Sequence, residues 1–336
     1  MLKSRIYKKL IAKQFNRDFR SAVEIVEVSL ADPTDSEIVI RNKFAGVNGG
    51  FDTLICRGEV PYVNPTPPFD LGVEVVGEVV SIGNNVTDFK VGDPVQTIFR
   101  GGGYREYQVV DISQVIKIPE AIPEVLTLMP TGVSSVLALE QVGEMKSGET
   151  VLVTAAAGGT GHIAVQWAKL AGNHVIGVCG SDAKVELLKR LGCDRIINYR
   201  QENLDEVLKK EYPNGINLVF ECVGKQIFDI CVDNLAVRGR LIVVGFISDY
   251  GKNQEQVQQS RIYGKLLWKA ASIRGFLNPL YKEYMPAARS SLLDLFYSGQ
   301  IQVAIDPTEF RGLESIPDAV EYLIGGKNCG KVVVRF

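Results

Sequence analysis

Residues 151–172 of this 336-residue chain read VLVTAAAGGTGHIAVQWAKLAG. An apolar run ends in Ala155-x-x-Gly158-x-x-Gly161 and passes straight into a helical pattern. This is the strand–turn–helix setting of a dinucleotide fingerprint, with alanine where the first glycine stands. Gly158 and Gly159 would let the backbone approach a pyrophosphate, which the free N–H groups and dipole of the following helix attract. Gly161 would let helix and strand pack closely. A glycine-rich turn that binds nothing is the alternative; the further strand–helix units downstream favour the dinucleotide.

The next strand decides which dinucleotide. NAD enzymes commonly place Asp or Glu at its end to accept the ribose hydroxyls. Here the end reads Cys179-Gly180-Ser181, with Asp182 next and Lys184 beyond it. A small pair followed by a cation suits a 2′-phosphate, which an acid at the tip would repel. NADPH is therefore expected rather than NADH.

Metal chemistry has few residues to draw on. The chain holds two histidines, His162 and His174, and six scattered cysteines with no C-x-x-C spacing. Neither an open catalytic zinc site nor a four-thiolate structural one assembles from local motifs, so no metal is expected. The cysteine spacing also predicts no disulfide framework and a reducing compartment, the cytoplasm. The basic stretch MLKSRIYKKLIAKQFNR leaves a mitochondrial transit peptide as the alternative to a first strand near Tyr7.

Composition narrows the function classes. Hydrophobic residues make up 46% and charged residues 23%, a balance that fits a folded globular protein rather than a disordered one. The formal net charge of −2 gives no bulk basic surface for nucleic acid. No run reaches the ~18 consecutive apolar residues that a membrane span requires. Glycine, at 33 residues, is in excess, which points to tight turns and close backbone approaches.

Two textures position these residues. Up to about residue 120, short Val/Ile-rich runs (AVEIVEV, EIVIRNKF, VEVVGEVVSIG, QVIKI) alternate with turn residues and read as strands. VPYVNPTPPFD carries four prolines and reads as an extended loop. One helix is predicted over about 123–139. From about 150 to 276 strands and helices alternate: a helix with Ile163, Trp167 and Leu170 at helical spacing on one face, a helix over 225–239, and a strand RLIVVGF after it. Continuous apolar strands between helices imply an α/β, doubly wound parallel sheet buried on both faces. A Gln- and Lys-rich loop (248–260), a strand SIRGF, a helix and a strand KVVVRF complete the chain.

AGVNGGFD, GVEVVGEVVSIGNNVTDFKVGDPV, GGYREY, TGVSSVLAL, VLVTAAAGGTG, GRLIVVGF and NCGKVVV together resemble the medium-chain dehydrogenase/reductase family over nearly the whole chain. VTAAAGGTGHIAVQWAK, LGCDRIINY and GGKNCGKVVV resemble its prostaglandin reductase branch. Zinc enzymes of the family carry Cys at the place of Asn48, His at that of Val73, and a four-cysteine lobe this chain lacks. The resemblance is thus to the zinc-independent, quinone oxidoreductase-like branch. It implies a GroES-like β-barrel catalytic domain (1–122 and 279–336) and a Rossmann cofactor domain (123–278). It places Thr160 and Gly161 on the pyrophosphate turn, and Gly180, Ser181, Lys184 and Tyr199 around the 2′-phosphate. Cys222 and Val244 fall at strand ends facing the cofactor; Tyr250, Phe276, Leu277, Asn278 and Asn328 fall on the nicotinamide side.

The activity implied is NADPH-dependent reduction of the C=C bond of an α,β-unsaturated ketone, of the 15-oxoprostaglandin 13-reductase type. Quinone reduction, or a cofactor-binding protein without catalysis, are the alternatives. Such a reduction needs a hydrogen-bond donor for the carbonyl oxygen. Related reductases use a tyrosine at places this chain fills with Leu54 or Val60. Tyr62 is the candidate in its stead, or a loop aromatic pinned against prolines. Asn48 either orients substrate or caps a turn. The expected partners are a small enone or oxo-lipid and a second copy of the chain.

Overall fold

The computed structural model describes residues 6–251, 258 and 261–336. Most of the Gln- and Lys-rich loop (252–257, 259 and 260) and the first five residues lie outside them. The chain divides into two compact units, 1–130 with 305–336, and 131–304. These limits differ from 1–122 with 279–336. Helix Met285–Tyr297 stays with the second unit because it packs on Val133–Leu137.

The first unit is built on strands. The predicted first strand runs Ile6–Ala12 and pairs antiparallel with Val23–Ser29 on one side and Phe69–Asp70 on the other. A second sheet runs in the order Phe310–Arg311, Val333–Arg335, Glu37–Gly46, Glu74–Ile82, Pro94–Ile98, Val115–Lys117. Tyr107–Asp111 adds to the first half of Glu37–Gly46, while Val333–Arg335 adds to the end of that strand. The proline segment 60–68 is loop, as its composition predicts. Leu10, Val47, Ile55, Leu71, Tyr104, Ile316 and Val332 meet in the core.

The second unit holds a six-stranded, all-parallel sheet. Its order is Arg195–Asn198, His174–Cys179, Thr150–Val153, Ile216–Glu221, Leu235–Val243, Ser272–Gly275. Sequence order reverses between Thr150–Val153 and Ile216–Glu221. In doubly wound sheets ligands bind beyond the carboxyl ends of the strands at such a reversal.

Three expectations are corrected. The helix expected over 123–139 is broken into Pro123–Thr127 and Val133–Leu137, with Met129 extended (φ −143°, ψ 129°). Pro130 follows it, and the residue before a proline is driven out of the helical region. The stretch Pro123–Val142 has the length and mean hydropathy (1.3) to cross a membrane, and 78% of it is buried inside the protein. Second, the helix expected over 225–239 ends at Asp233, and Leu235 already belongs to the next strand. Asn234 makes the turn, its side chain donating to Ile230 O (2.9 Å) and Asp205 (2.8 Å). Third, helix Gly161–Leu170 buries His162, Ile163, Ala164, Val165 and Gln166 rather than an Ile163–Trp167–Leu170 stripe. Trp167 sits at the rim, bonded to Glu140 (3.0 Å), and Leu170 is exposed.

Candidate active site

The turn after Thr150–Val153 opens with Ala155 at φ +45°. The fingerprint puts glycine here because the left-handed region costs a side chain roughly 1–2 kcal/mol. Gly158 N closes the turn onto Ala155 O (2.9 Å). A Cβ on Gly161 would lie 2.4 Å from Ala155 O and 2.8 Å from Ala156 Cα, so only glycine permits this approach. Helix Gly161–Leu170 begins without a side-chain cap. The amides of Gly159, Thr160 and Gly161 take no backbone acceptor among the described residues. They form an N–H cradle of the kind a pyrophosphate fills.

Fully buried His162 braces this turn from behind. Its Nδ1 faces Gly158 O (2.9 Å) and its Nε2 accepts from Ala304 N (3.1 Å), so the proton belongs on Nδ1. Gln166 ties the same helix to Gln302 through two further bonds.

At the end of His174–Cys179 the structure sets Tyr199 directly against Gly180, and Ser181 precedes helix Asp182–Arg190. Tyr199 N donates to Cys179 O (3.1 Å), and a Cβ on Gly180 would lie 2.4 Å from Tyr199 Oη. Lys184 is half-buried in the first turn of helix Asp182–Arg190. Asp182, which opens the helix after the tip, accepts from Asn198 (3.2 Å) and Gln201 (2.7 Å) at one of its oxygens.

The strand ends at the reversal are organised by Glu221, a residue the sequence reading passed over. Its buried carboxylate accepts from Val223 N (2.8 Å) and Gly224 N (3.0 Å), and its carbonyl from Val244 N (2.8 Å). Burial pushes its carboxyl up against those hydrogen bonds. Thr154 Oγ1 accepts from Cys222 N (2.8 Å). Tyr250 lies against Phe246, ring centres 4.8 Å apart, and burial lifts its phenol to about 12. Phe276 stacks on Tyr281 (5.6 Å), Leu277 is half-buried, and Asn278 donates to Ser134 Oγ (2.5 Å).

In the first unit, Asn48 precedes helix Gly49–Arg57 without capping it by its side chain. Its amide instead joins a buried polar cluster. Asn48 Nδ2 donates to Glu74 Oε1 (2.9 Å), and Lys331 Nζ donates to Asn48 Oδ1 (3.1 Å) and Glu74 Oε1 (2.6 Å). Tyr104 Oη donates to Asp52 Oδ2 (2.6 Å), which also accepts from Asn48 N (3.0 Å).

Glycines make room for this cluster. A Cβ on Gly46 would lie 2.2 Å from Glu74 Oε1. Gly72, at φ +81°, meets Tyr104 N so closely that a Cβ would lie 2.4 Å from it. The segments GVEVVGE and GGYREY thus touch backbone to backbone. Burial raises Glu74 despite Lys331, and raises Asp52 to about 7 despite the Tyr104 hydroxyl. No group of His, Cys, Asp and Glu able to hold a metal occurs among the described residues.

Tyr62 is not drawn into the cluster. It is 53% exposed in the proline loop and makes no hydrogen bond among the described residues. Leu54 and Val60 offer no donor side chain. Asn328 is buried and spends its Nδ2 on Gly330 O (2.9 Å). Sequence reading missed Asp52, Glu74, Tyr104 and Lys331. The available signal was a Glu and a Lys inside apolar strand sequence (VEVVGE, GKVVV), since charges buried there have to be paired.

Residues 34–120 match the sequence profile of the alcohol dehydrogenase GroES-like domain, and residues 159–293 that of the zinc-binding dehydrogenases. Mouse prostaglandin reductase-3 is 42% identical over 98% of this chain and 90% of its own length. A probable quinone oxidoreductase of Leishmania amazonensis is 40% identical over 98% of both chains. Among solved structures, Escherichia coli quinone oxidoreductase complexed with NADPH superposes with a TM-score of 0.83 at 27% identity, covering 98% of this chain and 100% of that one. The chain belongs to the medium-chain dehydrogenase/reductase family.

Proposed function

We propose that this protein is an NADPH-dependent oxidoreductase of the quinone oxidoreductase and prostaglandin reductase type that reduces the C=C bond of α,β-unsaturated ketones. Oxo-lipids of the 15-oxoprostaglandin kind are its substrate class. The reading is carried by the turn Ala155–Gly161, whose open amides and glycine-only contacts match a pyrophosphate. Supporting it, the next strand ends in Gly180-Ser181 with Lys184 close by and Asp182 already engaged. That set of groups suits a 2′-phosphate, and the acid next to it, Asp182, is already hydrogen-bonded through one oxygen.

When bound, the nicotinamide supplies hydride. The chain's residues have the remaining tasks. The glycine turn and Lys184 bind the phosphates, and Glu221 and Thr154 hold the loops at 222–224 and 244–245 in place. A fixed hydrogen-bond donor meets the charge that develops on the substrate's carbonyl oxygen once its β-carbon has received hydride. The α-carbon then takes a proton from solvent. No metal ion enters this scheme, because fixed organic donors stabilise the oxygen.

The test follows loss of NADPH absorbance with an enone, then with a quinone, beside calorimetric titration of NADP⁺. Enone turnover is expected. Turnover of quinone alone would move the activity to that class. Cofactor binding without turnover would leave a binding protein, and no heat on titration into folded protein would overturn the cofactor assignment.

A further inference from the structure

Helix Gly161–Leu170 begins without a side-chain cap, so the peptide units that lead into it need other anchors. Two buried side chains reach them from behind. His162 Nδ1 donates to Gly158 O (2.9 Å). Ser135 Oγ, on helix Val133–Leu137, donates to Thr160 O (2.9 Å), which is nearer than Thr131 O (3.2 Å). Both carbonyls also accept from the first helical turn: Gly158 O from His162 N (3.1 Å), Thr160 O from Ile163 N (3.2 Å) and Ala164 N (3.1 Å). The imidazole is itself fixed by Ala304 N, which donates to Nε2 (3.1 Å). All of these residues belong to the second unit.

Planarity turns these bonds into a direction. In a trans peptide unit the C=O and the N–H that follows it point opposite ways. Anchoring Gly158 O therefore turns Gly159 N–H away from His162, and anchoring Thr160 O turns Gly161 N–H away from Ser135. Neither amide takes a backbone acceptor among the described residues. A donor on the carbonyl oxygen also polarises its peptide unit and strengthens the N–H on the other side. The tautomer matters here. Ala304 N can only donate, so Nε2 stays bare and the ring proton faces Gly158 from Nδ1.

We propose that His162 and Ser135 are positioning residues for the dinucleotide, which aim the Gly159 and Gly161 amides at its pyrophosphate. The proposal rests on the cofactor reading above. Amides fixed before binding need no ordering when the anion arrives, so less of the interaction is lost to entropy.

Calorimetry with two ligands tests it. One is NADP⁺; the other is adenosine 2′-monophosphate, which keeps the adenosine and the 2′-phosphate but has no pyrophosphate. His162→Leu removes both ring nitrogens. His162→Asn has an amide nitrogen as many bonds from Cα as Nδ1. Ser135→Ala removes one hydroxyl and adds no bulk. His162→Leu and Ser135→Ala are each expected to weaken NADP⁺ about 3- to 10-fold, the scale of one hydrogen bond, with adenosine 2′-monophosphate within about twofold of wild type. His162→Asn should recover most of the loss. Ser135→Ala carries the test by itself if His162→Leu does not fold.

NADP⁺ affinity that His162→Leu and Ser135→Ala both keep within about twofold of wild type overturns the proposal. Equal weakening of the two ligands also overturns it, since a general loosening of the unit does not select the pyrophosphate. His162→Asn as weak as His162→Leu overturns the role given to the Nδ1 proton. Wild-type protein that gives heat with neither ligand overturns the cofactor reading itself, and the positioning roles with it.

Discussion

Lys331 Nζ lies 2.6 Å from Glu74 Oε1 although 257 positions separate them, and the two side chains are 4% and 0% exposed. A buried pair of this kind adds little net stability over an apolar pair, but removing one partner strands the other's charge. Lys331→Met is therefore expected to cost about 3–5 kcal/mol. Lys331→Met/Glu74→Gln should cost less than the single change. Urea unfolding of both at neutral pH checks this, and a double variant less stable than Lys331→Met contradicts it.

Asp52 makes stability depend on pH. Burial lifts its carboxyl from the ordinary 3.8 to about 7. Between those values the folded chain holds a proton that the unfolded chain has released. Stability is then greatest below about pH 4 as far as this group goes, and falls as pH rises to 7, by up to about 1.4 kcal/mol per pH unit. Glu74, also raised by burial, acts in the same direction. Asp52→Asn keeps an acceptor for Tyr104 and cannot ionise, so its melting temperature should fall less than wild type between pH 5 and 8. Parallel curves for the two proteins would contradict the assignment.

Gly161 has no space for a methyl group, with Ala155 O and Ala156 Cα within 2.8 Å of where its Cβ would stand. Backbone cannot rotate away as a side chain can. Gly161→Ala is expected to lose about 1–3 kcal/mol of stability and to weaken NADP⁺ binding at least about tenfold, because the cradle amides shift. Calorimetry beside thermal melting measures both. Unchanged affinity would show that the turn does not hold the cofactor.

Lys184→Ala should raise the KM for NADPH about 10- to 100-fold, the scale of one or two charge-assisted bonds, and leave that for NADH little changed. Equal weakening towards both cofactors would remove the 2′-phosphate argument.

Self-association is expected at the exposed apolar surface formed by Tyr263, Leu267 and Trp268, which are 71%, 69% and 84% exposed. The neighbouring strand Ser272–Gly275 ends the parallel sheet and leaves an unpaired edge among the described residues. Sedimentation should give a dimer for the wild type and a monomer for Trp268→Glu. A wild-type monomer would contradict the expectation.

Much of the second unit was legible in the sequence because its signals are local. Val151–Val153, Val175–Val178 and Leu218–Phe220 are continuous apolar runs, and the glycine turn follows the first of them directly. Errors arose where a local pattern met a conflicting neighbour. Pro130 broke an apolar helix at Met129, and Leu235 was claimed by pairing with Ile216 before the helical pattern had run out.

By itself, then, the sequence determined the parallel sheet, the glycine turn and the missing acid at Gly180–Ser181. Periodicity and turn chemistry are properties of adjacent residues. Tertiary structure alone decided which side chains Asn48 bonds. Its partners arrive from 26 and 283 positions away. Whether a charge is buried, and which opposite charge meets it there, depends on strands that become neighbours only once the chain has folded.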